Sequence, residues 1–404
     1  MPSSSPRLKP RSQAAPVFAL DAQFSPSEAG GTETHVPLQL DALARFASER
    51  FLVLGAPDSD EELRPLLGEN MELVPYPVRY AWFKGRDFPI SAAANDALLR
   101  AHGASAVHFP YPQHFATSLP FVYEPWGLPH RHFPEFFQAG EPEWMDGLFR
   151  SGCENAAIIV TGTRWARDDI ARTYGVPLSK FAVLPRNPIF RPPAPRDGKP
   201  RYRGVPERFA LYPSAAWPHK NHVGLLKALA ILRDEHGVRL DLVCTGKFDT
   251  TAADAIRAAL AELGLQDQVQ FLGPIPREDL ERLFHDAMFL VHASRFEGLG
   301  LPLIEAMSYG LPILASTATC IPEVVGDAAL LFDPEDPAAM AAAMLQAVQS
   351  EALRDDLGRR ATQRLAAFFP SHRQLAESFV ALYKAAAGLE LSAREQALME
   401  AMTA

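Results

Sequence analysis

Short apolar runs alternate with longer segments of helical spacing along nearly the whole chain. In the first half, residues 17–20, 51–54, 106–109, 121–123 and 157–161 read as strands, while 34–46 and 167–174 repeat apolar positions at the interval of an amphipathic helix. The second half is more regular. Strands are predicted over 209–212, 240–245, 269–272, 289–292, 312–315 and 329–332. Helices are predicted over 222–233, 252–263, 278–285, 303–309 and 337–350, with a last one over 373–387. Strands alternating with helices imply parallel sheets covered on both faces.

The rhythm breaks between 185 and 206, a stretch rich in Pro, Lys and Arg and poor in apolar residues, which suits a semi-rigid connection better than a core element. A chain of 404 residues is also too long for one ordinary core. The predicted organisation is a disordered tail over 1–16, an α/β domain over 17–190, a linker over 191–206, a second α/β domain over 207–370 and C-terminal helices over 371–404 crossing back to the first domain. Each domain is a doubly wound, Rossmann-like unit, and the two face each other across a cleft with ligands at the carboxyl ends of the strands.

Composition narrows the function classes. With 48% hydrophobic and 22% charged residues the chain has a globular profile, and a net charge of −9 argues against nucleic acid as a partner, since phosphate neutralisation needs a basic face. Cys153, Cys244 and Cys320 lie far apart without metal-ligand spacing and cannot all pair, which favours a reducing compartment. No apolar run approaches the roughly 20 residues of a membrane span, and the first residues carry no hydrophobic signal region, so the expectation is cytoplasmic. Asp58-Ser-Asp60 reads as a loop and helix start rather than a metal site.

The chemistry concentrates between Ser294 and Gly310, in Ser-Arg-Phe-Glu-Gly-Leu-Gly-Leu-Pro-Leu-Ile-Glu-Ala-Met-Ser-Tyr-Gly. The segment starts where an apolar strand ends. Gly298 and Gly300 permit close backbone approach, Pro302 suits a first helical turn, and Gly310 with Pro312 stops the helix. Free amides at that N-terminus suit an anionic phosphate. Glu297 in the loop and Glu305 in the helix can face the same pocket, where carboxylates accept hydrogen bonds from vicinal sugar hydroxyls. One for a ribose and one for a transferred sugar, with a diphosphate between, describes a nucleotide-sugar. The plainer alternative is a loop glutamate and a solvated helix glutamate; the glycines, the proline and the strand context weigh against it. A second loop, Tyr212 to His222, offers Asn221 as a helix N-cap and Lys220 as a point charge for phosphate.

The first segment resembles the Glu-x7-Glu motif of retaining glycosyltransferases of family four. Val269-Gln-Phe-Leu-Gly273 before it and Ile321-Pro-Glu-Val-Val-Gly-Asp327 after it are similar to that family as well, from about 209 to 383. The resemblance implies the GT-B architecture of two Rossmann-like domains and a donor site of Lys220, Glu297, Gly298, Leu299, Gly300, Leu301 and Glu305. It implies that Glu305 holds the ribose and Glu297 the transferred sugar, with Lys220 on the diphosphate and no metal or other cofactor. The family's arginine five residues before Lys220 is Ala215 here, and Lys247, Arg295 and Arg186 are the candidate replacements. The Trp-Pro-His-Lys-Asn-His form of the loop resembles bacterial mannosyltransferases of O-antigen synthesis.

In the first half, Ser27 to His35 resembles the glycine loop after the family's first strand, which would turn Gly30 and Gly31 toward the donor. Pro120 to Phe137 is similar to the stretch that carries a catalytic histidine, matched best by His130, with Glu124 and His132 in reserve. Gly127 and Pro129 depart from the subgroup's aspartate and glutamine. The predicted activity is transfer of a hexose, with GDP-mannose as the donor guess, to a saccharide or lipid-linked saccharide acceptor in polysaccharide or lipopolysaccharide synthesis. The basic linker could then touch an anionic membrane surface from the cytoplasmic side. The alternatives are a sugar-nucleotide epimerase or hydrolase, and a non-catalytic nucleotide-sugar-binding protein.

Overall fold

The computed structural model describes residues 15–23, 32–56, 60–76, 92–186 and 201–404. Within them the first sheet holds β1 (Val17–Asp21), β2 (Arg50–Gly55), β3 (Met71–Pro75), β4 (Ala104–Phe109), β5 (Phe121–Tyr123), β6 (Ile158–Thr161) and β7 (Phe181–Val183). Its helices are α1 (Thr32–Phe46), α2 (Asp60–Leu63), α3 (Ala92–Ala101), α4 (Pro129–His132), α5 (Glu141–Asn155) and α6 (Arg164–Tyr174). The second sheet holds β8 (Phe209–Pro213), β9 (Asp241–Thr245), β10 (Val269–Phe271), β11 (Phe289–His292), β12 (Ile313–Ser316) and β13 (Ala329–Phe332). With it come α7 (His222–Asp234), α8 (Ala253–Leu263), α9 (Arg277–Asp286), α10 (Leu301–Ser308), α11 (Ile321–Val325) and α12 (Pro337–Gln349). The chain closes with α13 (Glu351–Phe368), α14 (His372–Ala386) and α15 (Ala393–Thr403).

Every strand pairing is parallel, in the orders β3-β2-β1-β4-β5-β6-β7 and β10-β9-β8-β11-β12-β13. The predicted pair of doubly wound α/β sheets is therefore what the chain builds. The strand order reverses between β1 and β4 in one sheet and between β8 and β11 in the other, and a crevice opens at such a reversal because the flanking loops leave toward opposite faces. In the second domain α7, α8 and α12 cover one face around Leu225, Ile256 and Met344, while α9, α10 and α11 cover the other around Phe284, Ile304 and Val324.

The end of the chain packs on the first domain, not the second. Leu375, Phe379 and Tyr383 of α14 share a core with Phe18, Phe51 and Val160. Tyr383 also joins a buried polar cluster there: Gln39 Nε2 donates to its hydroxyl at 2.7 Å, and His108 Nδ1 lies 2.8 Å from it.

Several elements were not anticipated from the sequence, among them α3, α4 and α11 as well as the four that follow. Of β3 only Val74 is buried and Glu72 interrupts its apolar residues, while β7 is only three residues long. Helix α5 carries Pro142 and Gly147, and α13 buries only Leu357, Gly358 and Ala361, too narrow a stripe to announce a helix of 18 residues. Among the described residues no helix is long and apolar enough to cross a membrane. Residues 191–200 of the predicted linker with 187–190 before them, Gly30 and Gly31, and Asp58 with Ser59 lie outside the described residues.

Candidate active site

The strands that flank the second reversal, β8 and β11, deliver the two charges that matter most. From β8 the chain passes through a 3-10 turn at Pro218–Lys220 before entering α7. Asn221 stands at the helix N-cap as predicted, but with φ at +58° and its amide turned away to donate to Pro334 O at 2.8 Å, so it makes no side-chain cap. Tyr212, buried at the end of β8, donates its hydroxyl to Lys220 O at 2.5 Å and fixes the turn.

Lys220 Nζ then meets Glu297 Oε1 at 2.6 Å. His292, the last residue of β11, brings its Nε2 to 2.8 Å from the same oxygen. The backbone of Glu297 is clamped as well: its N–H donates to Thr319 Oγ1, which donates back to Glu297 O, both at 3.0 Å. Burial works to raise the Glu297 carboxyl, but Lys220 and the His292 hydrogen bond outweigh it and hold the group well below the usual carboxylate range. The predicted Lys220 and Glu297 are thus one ion pair, with Glu297 buried and Lys220 partly buried.

Gly300 takes φ of +75° at the N-cap of α10, where a side chain would be strained, and Pro302 occupies the first turn. Leu303, Ile304, Ala306 and Met307 are buried as the pattern requires. Glu305 is buried too and ion-pairs with Arg277 at the start of α9. Burial pushes the Glu305 carboxyl up, against the pull of Arg277. Sequence reasoning missed both Arg277 and His292, although a polar residue closing the apolar run Phe-Leu-Val-His is a visible signal of the second.

Of the candidate replacements for the arginine absent at Ala215, two are committed elsewhere. Arg295 forms a bidentate pair with Glu335 at 2.5 and 2.9 Å, and Arg186 is buried in an ion pair with Glu124. Arg186 therefore does not belong to a solvated basic linker. Lys247 is exposed and adjacent, since its carbonyl accepts from Ala216 N–H at 2.8 Å.

The first domain reaches this loop directly. Trp126, at φ +63°, and Gly127, at φ +142°, form a turn whose carbonyl at Trp126 presses on Gly298: a Cβ built there would lie 1.8 Å from that oxygen. The backbone of Gly127, with Phe296 of the other domain close beside it, explains why glycine rather than aspartate stands at this position. Thr163 Oγ1 donates to Gly298 O at 3.1 Å, and the Phe296 ring lies 5.2 Å from His132 and 5.7 Å from Trp165. Glu323 reaches across to accept from the first free amides of α6, Arg164 N–H at 2.8 Å and Trp165 N–H at 2.9 Å. Replacing Glu323 with alanine removes this cap and is expected to cost about 1 kcal/mol. Faster amide exchange over 162–166 would register it, and unchanged exchange there would show that the contact holds without the carboxylate.

The histidines of the first domain separate. His130 is buried against Phe149 at 4.9 Å, with Asp146 at 3.8 Å, and burial pushes it down to about 4. None of these partners belongs to the second domain. His132, with Nε2 at 2.8 Å from Asp169, is the histidine at the domain contact. Glu124 is wholly buried among His35, His108 and Arg186, with His108 Nε2 at 2.9 Å and His35 Nε2 at 3.1 Å.

Comparison with known proteins agrees with this layout. Residues 29–186 match the model of Glycosyltransferase Family 4 and residues 201–364 that of Glycosyl transferases group 1. The chain is 32% identical over 228 residues to O-antigen chain mannosyltransferase B of Escherichia coli, covering 55% of this chain and 59% of that protein. It is 31% identical over 231 residues to the MMP alpha-(1->4)-mannosyltransferase of Mycolicibacterium hassiacum, covering 56% and 54%. The match therefore spans little more than half the length of these curated relatives. Among solved structures, sucrose-phosphate synthase from Thermosynechococcus elongatus is similar with a TM-score of 0.71 at 20% identity, covering 91% of this chain and 98% of that one. WaaG, a glycosyltransferase involved in lipopolysaccharide biosynthesis, gives 0.67 at 18% identity over 91% and 99%. Anabaena HepE in complex with UDP and glucose gives 0.67 at 16% over 90% and 98%. At those identities the likeness to the solved structures is one of fold.

Proposed function

The chain belongs to the glycosyltransferases that join a Glycosyltransferase Family 4 domain to a Glycosyl transferases group 1 domain, and from that premise we propose that it moves a hexose from a nucleoside-diphosphate sugar to a saccharide hydroxyl with retention at the anomeric carbon. The observation that carries the reading is the Lys220–Glu297 pair at the reversal of the second sheet, one turn of chain from the N-terminus of α10. An ammonium has three N–H donors and Glu297 takes one, so Lys220 can hold a diphosphate oxygen while staying near the carboxylate. The free amides at the start of α10 add to that anion site. Glu297 then faces the sugar and Glu305 the ribose, with Lys247 beside Ala215 as the cation that takes over from the absent arginine.

In the transfer, the bond between the anomeric carbon and the diphosphate oxygen breaks and a bond to the acceptor oxygen forms on the same face. The acceptor's proton passes to the departing diphosphate, whose charge Lys220 and the helix amides stabilise. This route draws on no metal. The mannosyltransferases among the relatives favour mannose as the sugar; guanosine diphosphate as its carrier and a lipid-linked saccharide at the inner membrane face as acceptor are the choices we favour.

A thermal-shift panel of nucleoside diphosphates and their sugars tests the donor site. A selective rise in melting temperature that is lost in Glu305→Ala is expected, because a ligand that binds only the folded state stabilises it by mass action. No shift with any nucleotide would remove the donor-site reading. Donor consumption without an acceptor would instead favour an epimerase or hydrolase.

A further inference from the structure

We propose that His292 is a positioning residue that holds Glu297 in place when the donor diphosphate draws on Lys220; the inference rests on the donor-site reading above. The side chain is wholly buried at the end of β11, a strand whose other members, Phe289, Leu290 and Val291, are buried and apolar. Its Nε2 lies 2.8 Å from Glu297 Oε1, while its Nδ1 is buried with no hydrogen-bond partner. With the ring proton on Nε2, the imidazole donates to the carboxylate and leaves a bare lone pair at Nδ1; the other tautomer would bury an unpaired N–H and set two acceptors against each other. An imidazole here costs more than the leucine or valine that a strand end would otherwise hold, and Glu297 is the hydrogen-bond partner that offsets the cost.

Glu297 has two partners of different stiffness. Lys220 is a flexible four-carbon stem ending in a strongly hydrated charge, free to swing toward a phosphate. His292 ends a central strand that pairs with β8 and β12, is itself in register with Ala315 of β12, and has its ring set edge-on to Tyr212 at 5.8 Å. Tyr212 in turn bonds the Lys220 carbonyl, so one buried tyrosine braces both partners of the carboxylate. Both bonds fall on Oε1. Once Lys220 is shared with the diphosphate, the carboxylate still keeps the rigid donor, with Oε2 taking neither bond.

The test compares a nucleoside diphosphate with its sugar, because Glu297 is read as a contact of the sugar alone. Calorimetric titration of the full chain would use GDP against GDP-mannose, with UDP against UDP-glucose as the second pair. A glutamine amide nitrogen reproduces the position of Nε2, whereas an asparagine amide reproduces Nδ1, so the two variants are both polar but only one keeps the bond. His292→Asn is expected to lose about tenfold in affinity for the sugar-nucleotide relative to the diphosphate, with diphosphate affinity held within about twofold. His292→Gln is expected to keep the unaltered ratio. An unchanged ratio in His292→Asn, or equal losses for both ligands in both variants, overturns the positioning role and leaves the donor site standing. Binding of neither pair by the unaltered protein removes the donor-site reading itself.

Discussion

Gly298→Ala is expected to hold the two domains apart without unfolding either. Gly298 does not occupy the left-handed region, so its backbone accepts an alanine, and the obstacle lies wholly in the other domain. The added Cβ would stand 1.8 Å from Trp126 O and 3.0 Å from its carbonyl carbon, distances that no rotamer change relieves because both partners are backbone. Either the loop or the domain must shift. With the shift would go the Thr163 bond to Gly298 O, the packing of Leu299 against Gly162, and the setting of Phe296 between His132 and Trp165. The same loop carries Glu297, so a displacement of about 1 Å is enough to cost on the order of 100-fold in transfer rate. Melting temperature should change little, since Gly298 belongs to neither hydrophobic core. Small-angle scattering would show a larger radius of gyration and amide exchange would rise over 162–166. An unchanged scattering profile with an unchanged rate would mean that the contact at Gly298 is not part of the working form.

Lys220→Met should destabilise the second domain strongly, and more so at high pH. Lys220 and Glu297 have side chains only 16% and 10% exposed, and removing one member of such a pair leaves a buried charge uncompensated, at a cost of about 3–5 kcal/mol. In the unaltered protein Glu297 is held below the usual range, so its stabilising contribution is present above the unfolded-state pKa and is lost only as pH falls through the depressed folded value. Stability from this pair is therefore flat through neutral and mildly acid pH. Without Lys220 the push of burial is opposed by His292 alone, and the folded carboxyl is expected to move above its unfolded value. The sign then reverses: the variant binds a proton more readily folded than unfolded, and loses stability as pH rises from about 5 to about 8. Chemical denaturation at the two ends of that window measures the difference. Adding Glu297→Gln should recover most of the loss at pH 8. Equal losses at both ends, or no recovery in the double variant, would show that Lys220 stabilises by packing rather than by neutralising Glu297.

The elements of the second domain, and the three residues on which both predictions turn, were legible because each rests on a local pattern. Phe289-Leu-Val-His is a strand, the glycines that follow make a turn, and Pro302 with the apolar positions after it makes a helix, all within about twenty residues. Spacing along one strand–loop–helix unit suffices to put Glu297 in the loop and Glu305 in the helix that follows it. Lys220 was legible by the same argument applied to β8. The first domain was less so: β3 is interrupted by Glu72, β7 is only three residues long, and α5 carries Gly147 in its interior.

What the chain by itself determined is therefore the succession of strands and helices, the break between two α/β halves, and which loops carry charge at strand ends. Tertiary structure alone decided which of those charges meet. Lys220 and Glu297 are 77 positions apart and touch because β8 and β11 are neighbours at the reversal, an order that local spacing does not contain. The same holds for Arg277 beside Glu305, for Glu323 capping a helix of the other domain, and for His132 rather than His130 at the domain contact. Periodicity reports which face of an element is buried; which neighbour buries it is settled only when the sheets are ordered and the two domains close on one another.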